Sequence, residues 1–110
     1  MTTNDIYNFL QGFKAMQEEA FETSSSHGFQ EELHNELYVP TKLALIHDEV
    51  SEALRAHRKM NIQEFPAELA DIVIRTMDLA AAMKINLADA IVAKHLVNQK
   101  REFKHGNNLY

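Results

Sequence analysis

The sequence predicts an all-α fold, and three observations predict it. Apolar side chains recur at the three- and four-residue intervals of amphipathic helices in four successive segments. The 110 residues include only three glycines and two prolines, so few positions interrupt long helices. No segment has the apolar–polar alternation of a strand. Four helices with short connections form an antiparallel four-helix bundle most simply, and that is the predicted architecture.

The first helix is expected over about residues 4–22, where apolar side chains recur at helical spacing: Ile6, Phe9, Leu10, Phe13, Met16 and Ala20. The serine-rich stretch at residues 23–28 predicts a break. Residues 29–39 fit either a short helix or an ordered loop. The connection to the second helix therefore stays undefined.

The second helix is expected over about residues 40–59, beginning near Pro40 because proline suits the first turn of a helix. A short loop follows at residues 60–64. The apolar arc of this helix is formed by Leu43, Ile46, Val50, Ala53 and Leu54. We expect that arc to face the core.

The third helix, over about residues 66–83, is apolar on more than one side. In helical projection Ile74 and Met77 lie well away from the main apolar face, which carries Phe65, Ile72, Leu79 and Met83. A helix of this kind is usually central in a fold or covered by a second subunit. In a chain this small, we expect a homodimer.

The fourth helix is expected over about residues 87–103, with Asn86 as its N-cap. A polar stripe follows the spacing i, i+4, i+7, i+11 along it: Lys94, Asn98, Arg101 and His105. Side chains on the opposite side of the helix from this polar stripe are expected to anchor it to the core: Val92, Leu96 and Phe103. The stripe fits either an exposed polar face or a ligand-binding one.

The composition and net charge limit the classes of protein to which the chain could belong. Residues 1–110 are expected to form one domain, because they are too few for two independent cores. The polar N-terminus predicts no signal peptide, and no apolar run approaches the ~18 residues of a membrane span. The absence of cysteine excludes thiolate metal sites and is compatible with a cytoplasmic location. The net charge of −5 argues against general nucleic-acid binding.

Carboxylates at the core-facing edges of two helices are the informative feature. Glu49 lies at the edge of the apolar arc of the second helix, and Glu52 lies one turn along. On the third helix, Glu68 and Asp71 have the same spacing, with Asp78 alongside. Each helix therefore presents an i, i+3 carboxylate pair beside its core-facing surface.

If those two surfaces meet, four acids converge. Unit charges ~4 Å apart repel by about 4 kcal/mol at an effective dielectric near 20, so such a cluster needs cations or protons. Oxygen ligands favour Mg²⁺, Mn²⁺ or Ca²⁺, and Mg²⁺ commonly also binds substrate phosphates. The alternative is that these acids are solvated and form simple surface ion pairs, Asp71–Arg75 and Glu52–Arg55.

The spacing of the acids also resembles a known motif. Asp48-Glu49-x-x-Glu52, followed after 15 intervening residues by Glu68-Leu69-Ala70-Asp71, resembles the EExxE and ExxD metal motifs of MazG-like pyrophosphohydrolases. The flanking KLALI and IVIR stretches and the tail K-x3-N-x2-R-x3-H-G are similar too. The resemblance covers roughly residues 38–107, about two-thirds of the chain.

This resemblance implies hydrolysis of a nucleoside triphosphate between its α- and β-phosphates, giving a monophosphate and pyrophosphate. It implies Mg²⁺, with Mn²⁺ as a substitute, bound by Glu49, Glu52, Glu68 and Asp71. Glu49 or Glu52 would be the general base. Other residues would contact the substrate, at its phosphates (Lys94, Asn98, Arg101) or at its base, sugar or phosphates (Tyr38, Lys42). A homodimer or dimer of dimers is expected.

Two features depart from the motif. Asp48 replaces its first glutamate and leans toward solvent in projection, so a supporting role is expected for it. A literal EExxE also occurs at Glu18-Glu19-x-x-Glu22 in the first helix. It lies too far before Glu68 for the spacing of the family, and we interpret it as a solvated face.

Two alternatives belong to other classes. Glu31-x-x-His34 and Glu102-x-x-His105 have the spacing of a di-iron bundle, but His34 lies in the undefined segment and His105 at a helix end. The other histidines are expected at the surface or in packing. A non-catalytic helical module that dimerises or binds a partner would explain the apolar third helix, but it leaves the two acid pairs unexplained.

Overall fold

The computed structural model describes residues 1–27 and 35–101. Within these ranges the chain forms four α-helices and no strand: α1 (Thr3–Ser26), α2 (Tyr38–Arg58), α3 (Glu64–Ala82) and α4 (Leu87–Gln99). The all-α prediction is confirmed for this part of the chain. Helix α3 packs against both α1 and α2, while α4 packs against α1. The third helix thus holds the first two together.

Helix α1 is longer than predicted. It begins with a capping box, in which Asp5 N donates to Thr2 Oγ1 at 3.0 Å and Thr2 N donates to Asp5 Oδ2 at 2.8 Å. The predicted break after residue 22 is wrong, because the helix continues to Ser26. Ser24 is buried and donates from Oγ to Asp78 Oδ2 on α3 at 3.0 Å. This tertiary contact stabilises a last turn that the serine-rich sequence would not favour alone.

Helices α2 and α3 both begin two residues before the prolines at which they are predicted to start. α2 begins at Tyr38 and α3 at Glu64, so Pro40 and Pro66 each lie in the first turn. Proline is tolerated there because the first backbone N–H groups of a helix have no intrahelical partner. Before α3, Asn61 Oδ1 accepts a hydrogen bond from Glu64 N at 3.0 Å. The predicted loop is correspondingly shorter, and Glu64 is helical.

Both α2 and α3 end in the same hydrogen-bonded motif. After α2, Asn61 N donates to Ala56 O at 3.0 Å and Met60 N to His57 O at 3.0 Å. After α3, the corresponding bonds from Ile85 and Lys84 measure 2.8 and 3.0 Å. These are Schellman motifs. Their left-handed position is filled by Met60 and by Lys84, each with φ of 57° and neither a glycine.

Helix α4 begins as predicted, because the Asn86 side chain accepts from Asp89 N at 3.0 Å. It ends at Gln99, and the remainder of the predicted helix lies mostly outside the described residues. Val92 is half-buried, but Leu96 is 43% exposed and does not anchor the helix as expected. Part of the apolar surface of α4 therefore faces solvent.

The core is built mainly from small side chains. Apart from Tyr38 and Met77, its buried apolar residues are alanines: Ala20, Ala53, Ala56, Ala80, Ala82 and Ala88. The predicted core-facing arc of α2 is wrong in part, since Leu43, Val50 and Leu54 are each about half exposed. None of the described helices is long and apolar enough to cross a membrane.

Candidate functional site

The two predicted carboxylate pairs lie together where α2 meets α3. Carboxylate oxygens of Glu49, Glu68 and Asp71 lie within 4.8 Å of one another. A second group, formed by Glu52, Glu64 and Glu68, meets the same distance limit. Glu68 belongs to both groups, so the five side chains form one acid cluster around it.

The helical spacing explains this convergence. Residues three and four apart on one helix are neighbours on its surface, so each helix contributes adjacent carboxylates. The alanines Ala53 and Ala56 are buried beside them on α2, which lets the two helices approach closely. Glu49, Glu52 and Glu68 are half-buried, whereas Glu64 and Asp71 are exposed. The cluster is therefore partly withdrawn from solvent and open at its two ends.

Glu68 experiences the strongest electrostatic effect in the cluster. Its partial burial raises the pKa of its carboxyl above the ordinary value, because desolvation disfavours the charged form. A hydrogen bond with Glu49 and the charge of Glu49 raise the pKa further, followed by the charges of Asp71 and Glu52. Glu68 thus holds a proton more readily than an isolated glutamate does.

Two arginines already neutralise part of this negative charge. Arg75 on α3 donates from Nε to Glu49 Oε1 at 2.9 Å, across the two helices. Arg55 forms an ion pair with Glu52 within α2, as the surface-pair alternative expected. The expected Asp71–Arg75 pair is replaced by the contact with Glu49, whose side chain is only 15% exposed. Arginine side chains therefore compensate part of the negative charge of the acid cluster.

Sequence reasoning missed Glu64 as a member of the cluster. The sequence predicts a loop over residues 60–64, whereas Glu64 lies in the first turn of α3, four residues before Glu68. Its Oε2 also accepts a hydrogen bond from Asn61 Nδ2 at 3.0 Å. The i, i+4 spacing from Glu68 was the available signal, and it required α3 to begin before Pro66.

The other predicted acids lie apart from the cluster. Asp48 is exposed and belongs to neither carboxylate group. The literal EExxE motif of α1 is split, because Glu19 lines one cavity while Glu18 and Glu22 line a second one of about 520 Å³. No metal-competent grouping among the described residues includes these three glutamates.

A cavity of about 410 Å³ adjoins the acid cluster. Its walls come from α1, α2 and α3, and Asp71 and Arg75 connect it to the cluster. Lys42 lines it from α2, as a substrate-binding role would require. Polar and apolar side chains line the rest of its wall, among them Met16, Ala20, Ser24, Ile74 and Asp78. The sequence did not predict this cavity.

The remaining predicted substrate contacts lie elsewhere. Tyr38 is only 4% exposed, with Lys42 Nζ 5.3 Å from its ring centroid, so it acts as a packing residue under Lys42. Lys94, Asn98 and Arg101 are exposed on or just after α4, and none of them lines the cavity. Within one chain, the part of the polar stripe that the structure describes is thus not in the cavity wall, and His105 lies outside the described residues.

The histidines give a mixed result. His34 and His105, and with them both Glu-x-x-His pairs, lie outside the described residues. His27 follows the last turn of α1 and lines the 410 Å³ cavity. His57 contacts Phe65, with their ring centroids 5.8 Å apart, and so has a packing role.

No protein-family model matches this chain, and no match is found among curated proteins or solved structures. These comparisons do not bear on the resemblance to MazG-like pyrophosphohydrolases. That resemblance stays a prediction based on the acid motifs and their flanking residues.

Proposed function

We propose that this protein is a Mg²⁺-dependent nucleoside triphosphate pyrophosphohydrolase of the MazG-like kind. The observation that carries the proposal is the acid cluster between α2 and α3, in which carboxylates spaced as EExxE and ExxD approach within 4.8 Å. A partly withdrawn cluster of this composition needs positive charge to be stable. A divalent cation would supply the positive charge that two partly exposed arginines do not.

The residues present fit Mg²⁺. All the available donors are carboxylate oxygens, the ligand type that Mg²⁺ and Mn²⁺ prefer. Glu49, Glu52, Glu68 and Asp71 would hold the metal, and Glu64 lies close enough to assist. Desolvation raises the pKa of Glu68 most, and the charges of Glu49, Asp71 and Glu52 raise it further; a bound cation would offset the effect of those charges. When bound, the metal would neutralise phosphate charge and acidify a water molecule.

The reaction requires one base and a balanced proton transfer. A water oxygen forms a bond to phosphorus, the P–O bond of the α–β bridge breaks, and pyrophosphate leaves with the bond electrons. The proton lost by water passes to a carboxylate, for which Glu49 and Glu52 are the candidates.

Cationic and amide side chains would hold the phosphates. Lys42 and Arg75 line the cavity beside Asp71, where substrate phosphates would meet the acid cluster. Lys94, Asn98 and Arg101 remain proposed phosphate contacts from the α4 stripe. Because α4 packs on α1, whereas the cluster belongs to α2 and α3, these residues would act most simply across a subunit interface.

The quaternary structure is part of the proposal. We infer an antiparallel four-helix bundle completed by dimerisation, as a homodimer or dimer of dimers. Two contacts support opposite directions for α2 and α3: Glu49 pairs with Arg75, while the later His57 contacts the earlier Phe65. The half-exposed Leu43, Val50 and Leu54 on α2 would be covered by a second copy. A cytoplasmic location is proposed with it.

A non-catalytic helical module is the second candidate. The same exposed apolar side chains on α2, with Leu69 and Val73 on α3, favour it, since they would bind a partner helix. It predicts no effect of divalent cations on stability and no turnover. It leaves the convergence of the carboxylates without a role.

The decisive experiment measures pyrophosphate release from a panel of unmodified and modified nucleoside triphosphates with Mg²⁺. Wild type is compared with Glu49→Gln and Asp71→Asn, and with Glu18→Gln as a matched control outside the acid cluster. We expect turnover that produces pyrophosphate rather than orthophosphate, that is lost in the first two variants and that persists in the control. Absence of turnover in folded protein across the panel would favour the helical module.

A further inference from the structure

We propose that the 410 Å³ cavity holds the base of the nucleotide and that Asp78, held by Ser24, selects bases with an exocyclic amino group. The inference rests on the proposed function, which orients the phosphates toward the acid cluster. It adds a specificity-determining residue that lies outside that cluster.

Asp78 stands at a suitable distance from the phosphate end of the cavity. Asp71 belongs to both the acid cluster and the cavity wall, and Asp78 lies seven residues further along α3. Seven residues are about two helical turns, so both side chains project on nearly the same side of α3, roughly 10 Å apart along the axis. In a nucleotide, the sugar and the base together span a comparable distance between the phosphate and an exocyclic amino group.

The chemistry of Asp78 favours hydrogen-bond donors on the ligand. Its Oδ2 accepts a hydrogen bond from Ser24 Oγ at 3.0 Å, and Ser24 is only 9% exposed. The buried hydroxyl group therefore holds the carboxylate in position at the cavity wall. An ionised carboxylate only accepts hydrogen bonds and has sites for about four of them. It attracts N–H groups and repels carbonyl oxygens.

The walls around Asp78 suit a flat aromatic base. Met16 and Ala20 from α1 and Ile74 from α3 supply apolar contact surface, which is the usual lining of small-molecule sites. The cations Lys42 and Arg75 line the same cavity, where they can meet phosphate or sugar oxygens. Cytosine and adenine carry an exocyclic amino group where uracil or thymine and hypoxanthine carry a carbonyl oxygen, and guanine carries an amino group at C2 where hypoxanthine carries only hydrogen.

The test compares substrates that differ mainly in that group, CTP against UTP and GTP against ITP, with their deoxy forms. For wild type we expect kcat/KM to favour the amino-bearing member by roughly 10- to 100-fold, the worth of a hydrogen bond to a charged acceptor. In Asp78→Asn the ratio should fall toward one while Mg²⁺ still raises the melting temperature. Ser24→Ala should lower the ratio partially.

Two controls keep the result specific. Asp89→Asn makes the same chemical change at an exposed site on α4 and should leave the ratio unchanged. Glu19→Gln removes another acid of the cavity wall and should have a smaller effect than Asp78→Asn. Circular dichroism melting checks folding, and Ser24→Ala carries the test if Asp78→Asn does not fold. A wild-type ratio near one, or a preference unchanged in the Asp78 variant, overturns the inference.

A binding measurement separates this inference from the proposed function. Calorimetric titration with CMP and with UMP needs no turnover, so it applies even if no triphosphate is hydrolysed. Tighter CMP binding that Asp78→Asn abolishes would support the base subsite although the proposed reaction had failed. Equal binding of the two monophosphates by a protein without turnover would reject both. Turnover without base preference would reject only the subsite.

Discussion

Arg75 on α3 donates from Nε to Oε1 of Glu49 on α2 at 2.9 Å. This contact joins the two helices that carry the acid cluster, and it puts a cation against one of the proposed metal ligands. Without metal, the guanidinium group compensates part of the negative charge. With metal bound, Glu49 has two competing cationic partners, and Arg75 is available to contact phosphate instead.

Replacing Arg75 with Gln should therefore destabilise the protein to different extents with and without Mg²⁺. In EDTA the variant should lose about 0.5 kcal/mol of stability, because the pair is partly exposed and such pairs contribute little. In saturating Mg²⁺ the loss should shrink, since the metal then compensates Glu49. Urea denaturation in both buffers measures this difference. Arg58→Gln, at an exposed position on α2, is the control; equal losses for Arg75→Gln in both buffers would contradict the competition.

The pKa of Glu68 predicts how stability depends on pH. Because its pKa in the folded, metal-free protein is raised, the folded state binds its proton at a pH where the unfolded chain has released it. Stability should consequently decrease as pH rises from the ordinary glutamate pKa through the raised value. Glu68→Gln removes the charge, so it should be more stable than wild type above this window.

The measurement is urea denaturation of wild type and Glu68→Gln in EDTA across the acid-to-neutral range. Asp5 contributes in the opposite sense, since hydrogen bonds from the Thr2 backbone and hydroxyl lower its pKa, so its stabilising effect is lost as pH falls. Both proteins share that contribution, which cancels in the difference between them. A constant difference across the pH range would contradict the role assigned to Glu68.

Some features of the fold and of the site could be predicted from the sequence because they depend on local spacing. The i, i+3 carboxylate pairs and the Asn86 N-cap follow from helical geometry alone. The length of α1 could not be predicted in this way. Its last turn is held by the contact of Ser24 with Asp78, 54 residues away, and local serine content argues against that turn.

The periodicity of the sequence also could not predict which side chains of α2 are buried within the chain. An apolar arc indicates a face that becomes covered, but it does not say whether the same chain or another covers it. Here Ala53 and Ala56 pack inside the chain, whereas Leu54 and Val50 stay about half exposed. Local sequence does not predict the position of Glu64 for a related reason: Pro66 suits the start of a helix, but in the structure it lies inside the first turn of α3, which begins at Glu64.

The Schellman motif after α2 predicts a stabilising substitution. Met60 adopts φ of 57°, a conformation that is costly for a side chain with Cβ and nearly free for glycine. Relief of the left-handed strain, about 1–2 kcal/mol, exceeds the extra conformational entropy that glycine loses on folding, about 0.5–1 kcal/mol. Met60→Gly should therefore stabilise the protein by about 0.5–1 kcal/mol, since the exposed methionine loses little packing. Lys59→Gly is the matched control: its φ of −84° needs no glycine, so it should be destabilised. Thermal melting compares the two, and a less stable Met60→Gly would contradict the prediction.

Metal addition gives the most direct prediction for the acid cluster. A cation that binds only the folded state stabilises it by RT ln(1 + [L]/Kd), which is about 2.7 kcal/mol at 100 times Kd. Mg²⁺ or Mn²⁺ should raise the melting temperature of wild type, and Asp71→Asn should lose most of that shift because it removes one of three converging ligands. Asp89→Asn and Glu18→Gln, which alter acids outside the cluster, should keep the shift. Equal shifts in all four proteins would mean that the cation acts on general surface charge, and the carboxylates between α2 and α3 would then have no metal to hold.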